Sequence, residues 1–285
     1  MDRFFKTLLT IFIILIVILV MAVLYSRYIG IKGLKTNEFK ITNKKIPNNF
    51  HGIKIVQFSD IHYGSTINNE ILENIVKEIN ILNPDIIVFT GDLFNKDIKL
   101  NDNEVNLITK NLKKLNASIG KYIITGDNDI NHDYYNLVIT NSDFINLDDS
   151  YDLIYNKDGN PIILSGISTN LKNKRDIKEK TVNTIEEIKS NSGIYSIVLM
   201  HEPDYINDIN LNNYDLVLAG HSFGGNINIP GIKQILLPKG ATEYYDDYQK
   251  IDNTDLYISS GLGTDKFTYR LFNKPSITLY RLTNK

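Results

Sequence analysis

Seven residues carry the chemistry available to this chain: Asp60, His62, Asp92, Asp127, Asn128, His201 and His221. Each follows an apolar run: GIKIVQFSD, DIIVFTGD, KYIITGD, IYSIVLM or YDLVLAG. Ligands of open α/β sheets bind beyond the carboxyl ends of strands, which is where these residues fall. Carboxylates and imidazoles from separate strands, in a chain with no cysteine, suit Mn, Fe, Zn or Mg rather than a thiolate-bound metal. Two such cations about 3.5–4 Å apart activate a water and clamp the attacking and leaving oxygens of a phosphoryl displacement. Taken singly, the aspartates have a plainer reading as helix N-caps, His201 as a satisfied core histidine, and His51 as a surface residue. As a set at strand ends they point to a metal site.

The elements that must position them alternate. Strands are expected at Gly52–Asp60, Asp85–Asp92 and Lys121–Asp127. Between them, helices are expected over Asn68–Leu82, where Ile71, Leu72, Ile75, Val76 and Ile79 share a face, and over Asn103–Leu115. This order implies βαβ units and a largely parallel sheet. The second half predicts strands at YDLIY and PIILSGI, a helix over 178–189, then strands at IYSIVLM, YDLVLAG, NINIP, DLYISSG and SITLY. Their hairpin-like spacing suggests a second, mixed sheet, so the fold class is α/β, with two packed sheets and flanking helices.

The N-terminus differs in kind. Leu8–Leu24, LLTIFIILIVILVMAVL, carries no charge, and about 17 apolar residues reach the short end of a membrane span. That exceeds a signal-peptide core, and no A-x-A cleavage site follows. The expected organisation is a membrane anchor at 1–28, a juxtamembrane segment at 29–50 and a catalytic domain at 51–285. The cell membrane is the expected location, with one N-terminal span. Arg3 and Lys6 precede the span, while Arg27, Lys32, Lys35 and Lys40 follow it. Taken literally, the positive-inside rule keeps the domain cytoplasmic, yet a short basic N-tail is also the export-anchor layout, so the side stays open. A net charge of −2 gives no basic field for nucleic acid, and none is expected as a partner.

SDIHYG, TGDL, ITGDND, LMHEPD and AGHSFGG, in that order, resemble the motifs of the calcineurin-like metallophosphoesterases: D-x-H, G-D, G-N-H-D/E, a lone H, and G-H-x-H. The N-terminal span, GHSFGGNINIP and YISSGLGTDKFTYRLFNKPSI resemble the bacterial membrane-anchored branch of that family. The resemblance covers about Gly52–Arg281. It implies a four-layer α-β-β-α sandwich of two mixed sheets and a dinuclear metal site. Carried over by position, Asp60, His62 and Asp92 hold the first metal. Asp92, as a bridge, holds the second with Asp127, His201 and His221. A metal-activated hydroxide attacks phosphorus in line, and Asp92, Asp127 and Asn128 carry catalytic roles.

Two positions depart from that pattern. Asp127 and Asn128 stand for the Asn and His of G-N-H-D. Asp127 remains an oxygen ligand with an added charge, whereas Asn128 cannot donate a proton as an imidazolium does. Phe223 replaces the second His of G-H-x-H and weakens the first site. His132, in Asn131-His132-Asp133, is an alternative source of the missing acid. Gly261-Leu262-Gly263-Thr264 reads either as a phosphate-cradling loop or as a turn near the site. Lys239, Glu243 and Tyr245 are either substrate-path or ordinary loop residues. The expected function is hydrolysis of a phosphodiester or pyrophosphate at the membrane, with a lipid-linked substrate favoured by the anchor. The alternative is a non-catalytic metal- or phosphate-binding module.

Overall fold

A computed structural model of the chain describes residues 2–130, 132–169, 185, 188–190, 193–229 and 237–284. Two six-stranded sheets pack face to face. The first has the order β1 (Lys35–Thr42), β12 (Ser276–Thr283), β2 (Lys54–Phe58), β3 (Ile86–Phe89), β4 (Gly120–Ile123) and β5 (Ile145–Asn146). The second runs β10 (Tyr248–Ile251), β11 (Thr254–Ile258), β9 (Leu216–Ala219), β8 (Ser196–Met200), β7 (Ile162–Ile167) and β6 (Ser150–Ile154). Both are mixed. β2 to β5 run parallel and β12 runs antiparallel to β2, while β7, β8, β9 and β11 run parallel with antiparallel edges.

The two-residue period of the strands builds three apolar layers. Ile55, Ile86, Val88, Ile197, Leu199, Leu216 and Leu218 point into the interface between the sheets. Their neighbours Val56, Phe58, Ile87 and Phe89 point the other way, onto α2 (Asn69–Ile81), α3 (Asp102–Lys113) and α4 (Tyr135–Asn141). On the far side, Val198, Met200, Val217 and Ala219 pack on Ile185 and Ile206. Strands buried on both faces read as unbroken apolar runs, which is why β2, β3, β8 and β9 stand out in the sequence.

α2 is capped by Asn68 and α3 by a reciprocal Asn101–Glu104 box, so the helix-cap reading of Asp60, Asp92 and Asp127 does not apply. The helix expected over 178–189 lies mostly outside the described residues; Ile185, Ile188 and Lys189 are helical. α1 (Asp2–Tyr28) is long and apolar enough to cross a membrane, by length and composition.

Three findings differ from the sequence expectation. SITLY belongs to the first sheet, where β12 fills the gap between β1 and β2 and Tyr280 Oη donates to Gln57 Oε1 at 2.7 Å. NINIP is no strand over its described part: Ile227 makes only an isolated bridge to Leu271. The positive φ angles of Gly224, Gly225 and Asn226 (54°, 74° and 52°) turn the chain at its start. Lys35–Thr42, inside the stretch set apart as juxtamembrane, pairs along its whole length with β12.

Candidate metal centre

The loops leaving β2, β3, β4, β8 and β9 meet at one edge of the two sheets. One oxygen or nitrogen each from Asp60, Asp92, His201 and His221 lies within 4.8 Å of the other three. His62 and Asp127 border this group. His62 Nε2 is 3.4 Å from Asp92 Oδ2 and 3.8 Å from Asp60 Oδ1. Asp127 Oδ1 is 3.7 Å from both His201 Nε2 and His221 Nδ1.

Backbone geometry brings them in at a cost. Asp60, His62, Asp92 and His221 all have left-handed φ angles, between 44° and 63°. Each such residue costs about 1–3 kcal/mol and persists only where its surroundings dictate it. Here the N–H of Asp60 donates to Gly91 O, that of His62 to Asp92 O, and that of His221 to Asp60 Oδ2 at 3.0 Å. Gly91, at φ 94°, has no alternative, because a Cβ there would lie 2.6 Å from His201 Nδ1 and 2.7 Å from Gly126 N.

Hydrogen bonds set the histidine tautomers. His201 Nδ1–H donates to Thr90 O at 2.7 Å, and His221 Nε2–H donates to Lys239 O at 2.9 Å. A carbonyl can only accept, so His201 Nε2 and His221 Nδ1, 3.2 Å apart, both face the centre. Asp92 lies between the imidazoles. Burial alone would raise its carboxyl, but the charges of His201, then His62 and His221, hold it far below the carboxylate range. Burial would conversely lower His201, yet Asp92, Asp127 and Asp60 carry it well above its ordinary value. His62 is also raised, with burial outweighed by Asp60 and Asp92.

These residues fit a divalent cation. His62 is fully buried, yet neither ring nitrogen makes a hydrogen bond, which is costly unless another partner binds there. The 3.4–3.8 Å separations are those of ligands about 2.1 Å from one shared cation. The donor set of oxygen and nitrogen suits Mn, Fe, Zn or Mg.

Asp129 is the site residue that sequence reasoning missed. It is 2 % exposed, and its carboxylate accepts the N–H of Asp92 and Leu93 at 2.8 Å, Gly126 at 3.1 Å and Phe94 at 3.4 Å. It thereby ties the loop after β4 to the loop after β3. Burial and the charge of Asp92 push its carboxyl up to about 7, against the pull of those N–H donors.

A cavity of about 310 Å³ opens onto the centre, lined by His62, Asp92, Asp127, Asn128, His221, Phe223 and Asn226, then by Leu237–Lys239 and Asp265–Phe267. Lys239 lines it; Glu243 and Tyr245 do not. Phe223 stacks obliquely on His62, with ring centroids 5.1 Å apart. His132 faces a neighbouring cavity that shares Asn128, and its ring stacks on Phe94. The N–H groups of Leu262 and Gly263 already donate to Asp60 O, so the Gly261–Thr264 stretch is a turn bracing the site and not a phosphate cradle.

The family model for calcineurin-like phosphoesterases matches residues 53–224. The chain is 31 % identical to the uncharacterized metallophosphoesterase YkuE of Bacillus subtilis, over 90 % of this chain and 88 % of that protein. It is 30 % identical to the uncharacterized metallophosphoesterase Cj0846 of Campylobacter jejuni, over 88 % of this chain and 65 % of that one. It is 25 % identical to the UDP-2,3-diacylglucosamine pyrophosphatase LpxG of Chlamydia muridarum, over 89 % and 92 % respectively. Motif order, two-sheet fold and converging Asp and His side chains agree with these matches, and the chain belongs to the calcineurin-like phosphoesterases, metal-dependent hydrolases of phosphoric esters.

Proposed function

We propose that this protein is a membrane-anchored hydrolase of a phosphodiester or pyrophosphate that works with two divalent cations. The observation that carries the reading is the convergence of Asp60, Asp92, His201 and His221 beside an open cavity that Asp92 and His221 line. Asp60, His62 and Asp92 would hold one cation, and Asp92, Asp127, His201 and His221 the other. When bound, such cations supply Lewis acidity and a water of lowered pKa. Phe223 leaves the first of these sites with three protein ligands.

The other residues bind and orient. Asn128 holds Asp92 in place through its backbone and side-chain N–H groups. Lys239 and Lys266 on the cavity wall favour an anionic phosphate, and the imidazoles that line it among the described residues, His62 and His221, are both assigned to the cations, which leaves neither to protonate a leaving group. Leaving groups that depart without a proton, such as a phosphoanhydride, suit this arrangement best. Phe223, Leu237, Pro238 and Phe267 give the cavity an apolar wall. With the apolar α1 helix and the pyrophosphatase named among the relatives, this wall supports a lipid-linked substrate.

The test is substrate preference of the full chain in detergent. Bis-p-nitrophenyl phosphate and a pyrophosphate-linked lipid should turn over faster than p-nitrophenyl phosphate. A preference for the monoester contradicts the reading.

A further inference from the structure

The loop 265–274, DKFTYRLFNK, joins three things that need not be joined. Its backbone reaches α1, where Arg270 N–H donates to Ser26 O at 3.0 Å. Ser26 is the one buried residue of α1 among those described, and Gly30 lies so close that a Cβ would sit 1.7 Å from Arg270 O. Its side chains reach the metal-centre loops. The fully buried Arg270 guanidinium donates to Gly261 O at 3.2 Å and Gly263 O at 2.7 Å, and Asn273 donates to Phe223 O. Lys266, Phe267, Phe272 and Lys274 are exposed. Phe267 is 50 % exposed and Phe272 67 % exposed, the only exposed phenylalanines outside α1 among the described residues.

Phe272 has a left-handed φ of 56°, a conformation rare for bulky side chains, and the strain turns an aromatic ring away from the protein. Phe267 lines the mouth of the metal-site cavity beside Lys266; Phe272 and Lys274 line a second cavity with Tyr25 and Gly30 of the anchor end. Sheet topology makes this closeness obligatory. β1 leaves the anchor and runs parallel to β12, which is antiparallel to β2, so the start of β1 lies at the carboxyl end of β2, where Asp60 sits.

Ser26 is two residues past Leu24, the end of the apolar run, or about 3 Å along the helix axis. The headgroup layer on each side of a bilayer is about 5–7 Å deep. Exposed phenylalanine rings beside lysines at that depth match the apolar and basic side chains of segments that lie in a membrane interface. We propose that the loop 265–274 is a membrane-contact element: Phe267 and Phe272 enter the headgroup layer beside the anchor and hold the cavity mouth against the bilayer, where an acyl-linked phosphate ester presents its headgroup. The inference rests on the membrane-anchored reading above.

The absence of cysteine permits a clean test with full-length protein in phosphatidylcholine–phosphatidylglycerol vesicles. Single variants Phe272→Cys, Phe267→Cys, Leu15→Cys and Tyr155→Cys each carry a bimane label, and nitroxide-bearing lipids act as quenchers. Tyr155 is the exposed control, next to the Asn49–Asn156 hydrogen bond at the opposite end of the fold. The expected result is strong quenching of the 272 and 267 labels by headgroup nitroxides and none of the 155 label, with the 15 label quenched by mid-chain nitroxides. If 15 is quenched while 272 and 267 match 155, the contact is overturned and the anchor stands. If 15 is also unquenched, both fail. As a second readout, Phe272→Ser should lower turnover of a vesicle-borne substrate while leaving that of soluble bis-p-nitrophenyl phosphate unchanged; equal effects on both overturn the proposal.

Discussion

Asn128 grips Asp92 twice, through its backbone N–H to Oδ1 at 2.8 Å and its amide Nδ2 to Oδ2 at 2.6 Å. Asn128 thus serves the carboxylate at the middle of the site. An ionised Asp92 can only accept, so Asn128 presents its amide nitrogen, not its oxygen, to that carboxylate.

This arrangement predicts a steep dependence on leaving group. A general acid contributes about 10²–10⁴ in rate, and that factor is missing for alkoxide leaving groups. Among diesters, p-nitrophenyl esters should be cleaved far faster than alkyl esters. Asn128→His should narrow the gap, measured as kcat/KM across a leaving-group series. An unchanged slope in the variant counts against the assigned role.

Asp129→Ala should destabilise the protein and loosen the site together. It strips the acceptor from the close N–H donors of Asp92, Leu93 and Gly126, and each buried orphan costs about 1–3 kcal/mol. A net loss of about 3 kcal/mol lowers Tm by roughly 6–12 °C in a domain of this size. Asp129→Asn, which keeps one acceptor oxygen, should fall between. Calorimetry of metal-free protein separates this loss from any change in metal affinity.

Metal-free protein should lose stability as pH rises from 5 to 8. Asp129 has a folded-state value near 7, above its unfolded one, and His62 and His201 are also raised. A raised group contributes stability that is full below its unfolded value and fades as pH climbs through its folded value. Asp92, held low, acts oppositely, and its contribution disappears only in acid. Added Mn²⁺ should raise Tm, and more so at pH 8 than at pH 5, because it displaces protons from the histidines. Thermal scans with and without EDTA would show a flat metal-free profile if the cluster were not so coupled.

On the proposed two-cation reading, Phe223→His should add a fourth protein ligand to the first site. His tolerates the left-handed backbone found there, φ 51°. Wild-type protein should keep one cation after dialysis and exchange the second; the variant should keep about two, while Asp127→Ala should lose the tight one. Elemental analysis counts them. Two retained cations in wild type would show that three protein ligands suffice.

Much of the site was legible because parallel strands bury both faces, so Asp60, Asp92, His201 and His221 stand out as polar ends of apolar runs. Strand membership was less so. SITLY looks like any late strand, and only the register Thr278↔Gln57 assigns it to the first sheet. Asp129 was hidden because in ITGDND it resembles another ligand, while its partners Leu93 and Phe94 lie 36 and 35 residues upstream. Arg270 gave no signal, since a buried arginine serving backbone carbonyls has no sequence pattern.

The most direct measurement is hydrolysis of bis-p-nitrophenyl phosphate by the full chain, stripped of metal and resupplied with Mn²⁺, beside Asp92→Ala. Asp92 touches His62, His201 and Asn128 at once, so its removal bears on the whole centre. Turnover should require the cation and fall at least about 10³-fold in the variant. Turnover that persists in the variant, or none with any of Mn, Fe, Zn or Mg, contradicts a catalytic metal centre at this site.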